Sequence, residues 1–230
     1  MKNKQTVQFR RTEKIYHSVK KIVKAILPNS ILNLWSGLSE KLKNYQEINN
    51  WKKNGKPSPP PHRIKQLAIE YYQKKYGIDV FVETGTYLGH MVSAQLKNFK
   101  RIYSIELGYD LWENAVKKFG NYDHVKILQG DSGLILKDVV LEIKEQAIFW
   151  LDGHYSAGIT AKGEKDCPIF EELNAIFTSK FNHILLIDDA RCFNGEGDYP
   201  TINELAEYVL SERKGSHIEI KDDSIRVELR

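Results

Sequence analysis

The stretch Val80-Phe81-Val82-Glu83-Thr84-Gly85-Thr86-Tyr87-Leu88-Gly89-His90 decides the fold. A short apolar run ends in an acid, two glycines follow in a turn, and the segment beyond, to about residue 96, reads as a helix. Glycine permits both a sharp reversal and the close approach of a second group. From there strands and helices alternate down the chain, with no internal repeat. Strands are expected at 80–83, 101–106, 125–129, 147–152 and 183–188. Helices are expected at 109–119, 133–144 and from Pro168 to about 178. Thr201-Ile202-Asn203-Glu204 has the pattern of a capping box and opens a further helix over 201–213. The tail reads as two strands, 217–221 and 224–229, around Asp222-Asp223. Such alternation implies a mostly parallel, seven-stranded sheet covered by helices on both faces and ended by an antiparallel hairpin.

Upstream of the strands, residues 62–76 read as a helix with Ile64, Leu67, Ala68 and Tyr71 on one face and Gly77 closing it. Before it, Asn54-Gly55-Lys56-Pro57-Ser58-Pro59-Pro60-Pro61 has the composition of a stiff, extended linker. The chain is therefore expected to divide into an arm, 1–61, and a main domain, 62–230. Within the arm, Ile15, Val19, Ile22, Val23 and Ile26 predict a basic amphipathic helix over 13–27. Ser30 is expected to cap a second helix carrying Ile31, Leu34, Trp35, Leu38 and Leu42.

In open parallel sheets, ligands sit beyond the carboxyl ends of the strands. Glu83, Glu106, Asp131, Asp152, Asp188 and Asp189 all fall there. Dinucleotide folds place G-x-G-x-x-G at the first turn, so that pyrophosphate meets a helix N-terminus. This turn is E-x-G-x-x-x-G, which argues against NAD-dependent oxidoreduction. Glu83 would repel pyrophosphate but suits an ammonium. S-adenosylmethionine offers one, with a sulfonium and no phosphate. Its carboxylate could use backbone N–H groups and the Thr86 or Tyr87 hydroxyl, and Thr84, Gly85 and Gly89 are cofactor-binding candidates with the rest of the turn. Glu106 is placed to accept from ribose hydroxyls. Gly130-Asp131-Ser132 is placed to receive an adenine amino group.

The segments Glu83–Gly89, Trp150-Leu151-Asp152-Gly153-His154-Tyr155 and Leu186-Ile187-Asp188-Asp189 resemble those of class I S-adenosylmethionine-dependent methyltransferases, which have a Rossmann-like fold. Within that class they resemble the macrocin O-methyltransferase-related group of bacterial, polysaccharide-associated enzymes. The resemblance covers residues 81 to about 208. It implies methyl transfer to a hydroxyl of a sugar, glycan or glycosylated metabolite, with S-adenosylmethionine as donor. It also implies a divalent ion, Mg²⁺ foremost, at Asp152, Asp188 and Asp189. Three all-oxygen ligands at neighbouring strand tips favour Mg²⁺, Ca²⁺ or Mn²⁺ over zinc. The bland alternative is that Asp188 or Asp189 caps the next loop and Asp152 contacts the cofactor. His154, beside the catalytic candidate Asp152, is suited to taking the hydroxyl proton. It departs from the family, which carries an aspartate or a nearby lysine there. The glycine-bearing loop 155–168, with Lys162 and Lys165, is expected at the mouth of the site.

Charge is unevenly placed along the 230 residues. Residues 1–65 hold 15 Lys+Arg against 3 Asp+Glu, whereas the rest of the chain is net acidic. The arm is thus expected either to rest on anionic membrane or to pack on the domain or a second copy of it. Use of the arm as a phosphate grip by a nucleic-acid methyltransferase is disfavoured, because no Asn-Pro-Pro-Tyr or Asp-Pro-Pro-Tyr run occurs. A non-catalytic nucleoside-binding module is the remaining alternative. The longest apolar runs, such as 147–151, have about five residues, far short of the roughly 20 of a spanning helix. With no secretory signal pattern and only Cys167 and Cys192, a cytoplasmic protein is expected, peripheral at the inner face of the membrane if the arm binds there.

Overall fold

The computed structural model describes residues 29–153 and 167–230, with residues 29–36 described by their backbone alone. The chain forms two compact units, Met1–Lys53 and Asn54–Arg230. The first contains helix α1 (Asn29–Lys53), which runs well beyond the apolar residues that predicted it. The expected helix over 13–27 lies outside the described residues. No described helix is long and apolar enough to cross a membrane.

The second unit begins its regular structure with α2 (His62–Tyr76), which stops at Gly77 in a left-handed cap. Then come β1 (Val80–Thr84), α3 (His90–Gln95), β2 (Arg101–Glu106), α4 (Tyr109–Phe119), β3 (Val125–Gln129) and α5 (Ser132–Glu142). They are followed by β4 (Ala147–Leu151), α6 (Ile169–Phe177), β5 (Ile184–Ile187), α7 (Ile202–Glu212), β6 (His217–Lys221) and β7 (Ser224–Glu228). The seven strands lie in the order β3-β2-β1-β4-β5-β7-β6. Strands β1 to β5 are parallel, and β7 runs antiparallel to both β5 and β6. The expected mixed sheet with its C-terminal hairpin is therefore present. So is the capping box, with Thr201 and Glu204 exchanging side-chain and backbone hydrogen bonds.

Alternate residues of each strand feed two cores. On one face Val80, Val82, Ile105, Phe149 and Leu185 pack under α5, α6 and α7 through Leu136, Leu173 and Leu205. On the other, Phe81, Ile102, Ile148, Trp150 and Leu186 pack under α2, α3 and α4 through Ile69, Val92 and Phe119. Strand β1 is buried along its whole length, as a central parallel strand must be.

One expectation about α2 is corrected. Leu67 and Tyr71 are exposed, while Ala68, Ile69 and Tyr72 are buried. The inward face is rotated from the one expected, because the sheet receives the narrow stripe Lys65, Ala68, Ile69, Tyr72, which keeps helical spacing. The rotation carries Lys65 inward with it.

At the opposite end of the sheet, His183 is fully buried. Its Nδ1 accepts from the Ala147 N–H at 3.0 Å, and its Nε2 lies 2.8 Å from the Ser179 hydroxyl. Burial, with Arg213 nearby, pushes its pKa down from 6.5 to about 4. The fold favours the neutral ring, so this stabilisation is whole above pH 6.5 and is lost as the pH falls through about 4. A shift of that size corresponds to about 3 kcal/mol. Asn at this position keeps an acceptor for Ala147 and does not titrate. In urea unfolding as a function of pH, His183→Asn should flatten the loss of stability between pH 6.5 and about 4.

Candidate functional site

The β1–α3 turn is held from below by a chain of hydroxyls. Glu83 is 2% exposed. It accepts from the Ser104 hydroxyl at 2.6 Å, and Ser104 pairs with the Thr86 hydroxyl at 2.6 Å. Burial pushes the Glu83 carboxyl well above its ordinary value; the Ser104 bond opposes this, and the charges of Asp152 and Glu106 add to it. Gly85 has φ +83°, and a Cβ there would collide with the carbonyl oxygen of Asp152. No other residue fits this crossing of β1 with the end of β4. Lys118 on α4 braces the turn, donating to the carbonyls of Leu88 (2.8 Å) and Gly89 (3.2 Å).

Glu106 is buried at the tip of β2. Its Oε2 accepts from the Tyr87 N–H at 2.7 Å and its Oε1 from the Gly108 N–H at 2.8 Å. A carboxylate has about four lone-pair directions, so both oxygens retain capacity for hydroxyl donors. Asp131 at the tip of β3 is the N-cap of α5, its Oδ1 accepting from the Gly133 N–H at 2.9 Å. Ser132 turns its hydroxyl to Glu172 on α6 at 2.6 Å, with Gly153 and Thr84 beside the pair.

The turn differs from expectation in what it offers a ligand. The N–H groups of Gly85 and Thr86 are spent on the Ile105 carbonyl, that of Tyr87 on Glu106, and that of Gly89 on Thr86. The hydroxyl of Thr84 accepts from the Asp152 N–H at 3.2 Å, and that of Thr86 belongs to the Glu83–Ser104 chain. Thr84 and Thr86 are buried parts of the scaffold, whereas Tyr87, at φ +49°, is exposed at the rim.

Across the β1–β4 pairing lies the second group of acids. Asp152, Asp188 and Asp189 each present a carboxylate oxygen, and the three oxygens lie within 4.8 Å of one another. Sequence reasoning expected their convergence and missed what enters it. Lys65 reaches in from α2 and donates to Asp188 Oδ2 and, at 3.3 Å, to Asp189 Oδ1. Asp188 Oδ1 accepts from the Asp189 N–H at 2.8 Å. Arg191 donates to Asp189 Oδ1 at 2.8 Å and also to Asp223. Burial alone would lower the Lys65 pKa, but Asp188, Asp189 and Asp152 outweigh it and raise it. Burial pushes the Asp188 carboxyl up, and Lys65 opposes that shift.

The donors are of the right kind for a hard divalent ion. Three of their six oxygens, however, are already engaged. Oδ1 of Asp188 is held by backbone, its Oδ2 by Lys65, and Oδ1 of Asp189 by Lys65 and Arg191. With Lys65 in place the cluster does not fit a divalent ion as well. Close to Lys65, His62 meets His90 edge to face with ring centroids 6.3 Å apart, and burial, then Lys65 and His90, hold the His62 pKa down. His154 and nearly all of the expected mouth loop, 154–166, lie outside the described residues.

No family model and no curated protein sequence matches the chain. Solved structures do. An O-methyltransferase from Bacillus cereus, in complex with S-adenosylhomocysteine, superposes with a TM-score of 0.53 at 13% identity, covering 93% of this chain and 97% of that one. An O-methyltransferase from Streptomyces achromogenes involved in tomaymycin synthesis, in complex with S-adenosylmethionine, gives 0.52 at 15%, covering 80% and 87%. An S-adenosylhomocysteine-bound methyltransferase from Podospora anserina gives 0.50 at 16%, covering 95% and 96%. The chain has the methyltransferase fold. At these identities the likeness is one of architecture, and the site must be argued from its own residues.

Glu83 gives a direct check on the site's electrostatics. Its folded pKa lies above the ordinary 4.5, so its contribution to stability is whole below that pH and is lost as the pH rises toward the folded value. Glu83→Gln keeps an acceptor for Ser104 and removes the titration. The variant's unfolding free energy should overtake that of the wild type as pH rises above 4.5, read by urea unfolding at a series of pH values.

Proposed function

We propose that the protein is a class I S-adenosylmethionine-dependent methyltransferase acting on a hydroxyl oxygen of a sugar, glycan or glycosylated metabolite. One observation carries the reading. Within the methyltransferase fold, the Glu83–Gly89 turn and the buried Glu106 carboxylate stand at the same sheet edge as the Asp152–Asp188–Asp189 cluster, across the Gly85–Asp152 crossing. Three structures with this architecture carry S-adenosylmethionine or its demethylated product. The sugar-type acceptor rests on the resemblance of Trp150–Tyr155 and Leu186–Asp189 to the macrocin-related group.

In this reading Glu106 receives the ribose hydroxyls, and Glu83 lies beneath the methionine ammonium, whose charge favours its ionised form. Asp131 keeps its capping bond through Oδ1 and meets the adenine amino group through its other oxygen. The acceptor hydroxyl sits over the aspartate cluster. Its oxygen attacks the methyl carbon as the S–CH₃ bond breaks, and the sulfonium leaves as a neutral thioether. The hydroxyl proton passes to a base, for which His154 is the candidate and Asp152 the nearby carboxylate. Catalysis comes chiefly from alignment and from stabilising charge on the attacking oxygen. No step needs a divalent ion, because the Lys65 ammonium already sits between Asp188 and Asp189. The basic arm keeps the enzyme near an anionic membrane or a lipid-linked acceptor.

Calorimetry tests the cofactor half of the reading. S-adenosylhomocysteine and S-adenosylmethionine should both bind saturably, and Glu106→Gln should weaken binding by about tenfold or more through loss of charge-assisted hydrogen bonds. Absence of heat with either ligand, from folded protein, would sink the reading. A backbone check is independent of charge. Gly85→Ala should abolish binding and lower the melting temperature, because its methyl group would displace the end of β4.

A further inference from the structure

Lys65 is the one strong cation of α2 that the fold carries into the edge of the sheet, and its placement is built. Ile69 and Tyr72, one and two turns further on, are buried against Ile148, Trp150, Ile184 and Leu186 of β4 and β5. Lys75 at the far end of the helix is tied to Glu228 of β7 at 2.8 Å, and Arg63 is tied to Glu70 at 2.5 Å within the helix. The helix therefore has a fixed rotation, and that rotation delivers the Lys65 side chain, 15% exposed, into the cluster.

We propose that the Lys65 ammonium is the resident cation of the Asp152–Asp188–Asp189 cluster, standing where a divalent ion would otherwise bind, so that the protein works without one. Two facts of geometry carry this. The ammonium donates to two of the three carboxylates that form the cluster. The second oxygen of Asp188, which a metal could otherwise take, is held by the backbone N–H of Asp189. An ammonium has three donors and needs no octahedral shell, whereas Mg²⁺ demands six oxygens at close to fixed geometry. Two donors anchor Lys65. An ammonium has a third donor, and the Asp152 charge also acts on Lys65; the attacking oxygen of the acceptor would lie beside these two. Lys65 is then a positioning residue for the acceptor and a fixed positive charge beside the nascent alkoxide. This last role rests on the methyltransferase reading; the exclusion of metal does not.

The test is Mn²⁺ binding, read from the electron paramagnetic resonance of the free ion, on the full chain. The wild type should show no saturable site that Asp188→Asn removes. Lys65→Met opens the cluster and should gain a saturable Mn²⁺ site, at least about tenfold tighter than any residual binding by the wild type. Lys65→Arg keeps a cation there and should behave as the wild type does. Saturable wild-type binding that Asp188→Asn abolishes, or a folded Lys65→Met variant with no gain, overturns the proposal. If Lys65→Met is recovered only unfolded, the wild-type titration with its Asp188→Asn control decides alone. S-adenosylhomocysteine calorimetry on the same preparations keeps the two ideas apart. Failure of nucleoside binding removes the methyltransferase reading and leaves the Mn²⁺ result standing.

Discussion

Five parallel strands end at one edge, and their tips carry carboxylates close enough to repel. The rest of the structure at that edge follows from how each charge is met, because a buried carboxylate without a partner is costly. The answers are local and all different. Glu83 accepts from the Ser104 hydroxyl and is pushed toward its neutral form. Glu106 takes two backbone N–H groups. Asp131 caps a helix. Asp188 and Asp189 share the ammonium of Lys65, and Arg191 completes Asp189. The acids thus divide into those satisfied by neutral donors, on β1 to β3, and those satisfied by cations, beyond β5.

That division bears on what each half can receive. A carboxylate held by two N–H groups retains lone pairs directed outward, which suits the hydroxyls of a ribose. A carboxylate already paired with an ammonium has little charge left for a further cation. The cation-paired half is therefore better suited to a neutral acceptor hydroxyl than to a second metal-like centre.

Much of this was legible in the sequence, for identifiable reasons. Strands β2 and β3 and helix α4 match their expected bounds, because short β-branched runs, Gly and Pro punctuate the chain sharply. The six strand-tip acids stood out because acids seldom end apolar runs by accident. What could not be read was tertiary. Leu67 and Tyr71 made a plausible apolar face, and only contact with the sheet chooses the stripe of Ala68, Ile69 and Tyr72 instead. Lys65 was hidden by that one misjudged rotation. Ser104, Lys118 and Glu172 were hidden differently. Each acts on a residue at least 18 positions away, and no local pattern marks such a pair. The backbone donors of the turn looked available because nothing in the sequence shows that Ile105 and Glu106 consume them.

The strand order explains why the two halves meet where they do. From β1 the chain adds β2 and β3 on one side, then returns to place β4 and β5 on the other, so the order reverses between β1 and β4. Crevices in such sheets open at the reversal. Here it is marked by Gly85 lying against the Asp152 carbonyl, with Thr84 accepting the Asp152 N–H. The neutral-donor acids fall on one flank of that crossing and the cation-paired acids on the other. A donor bound on the first flank and an acceptor on the second would bring their reactive atoms together above Gly85, Asp152 and Gly153. Only glycine leaves room at Gly85, and Gly153 is nearly as confined, between Glu172, Ser132 and Thr84. The small residues at the centre and the charged residues at the flanks are thus two consequences of one topological fact.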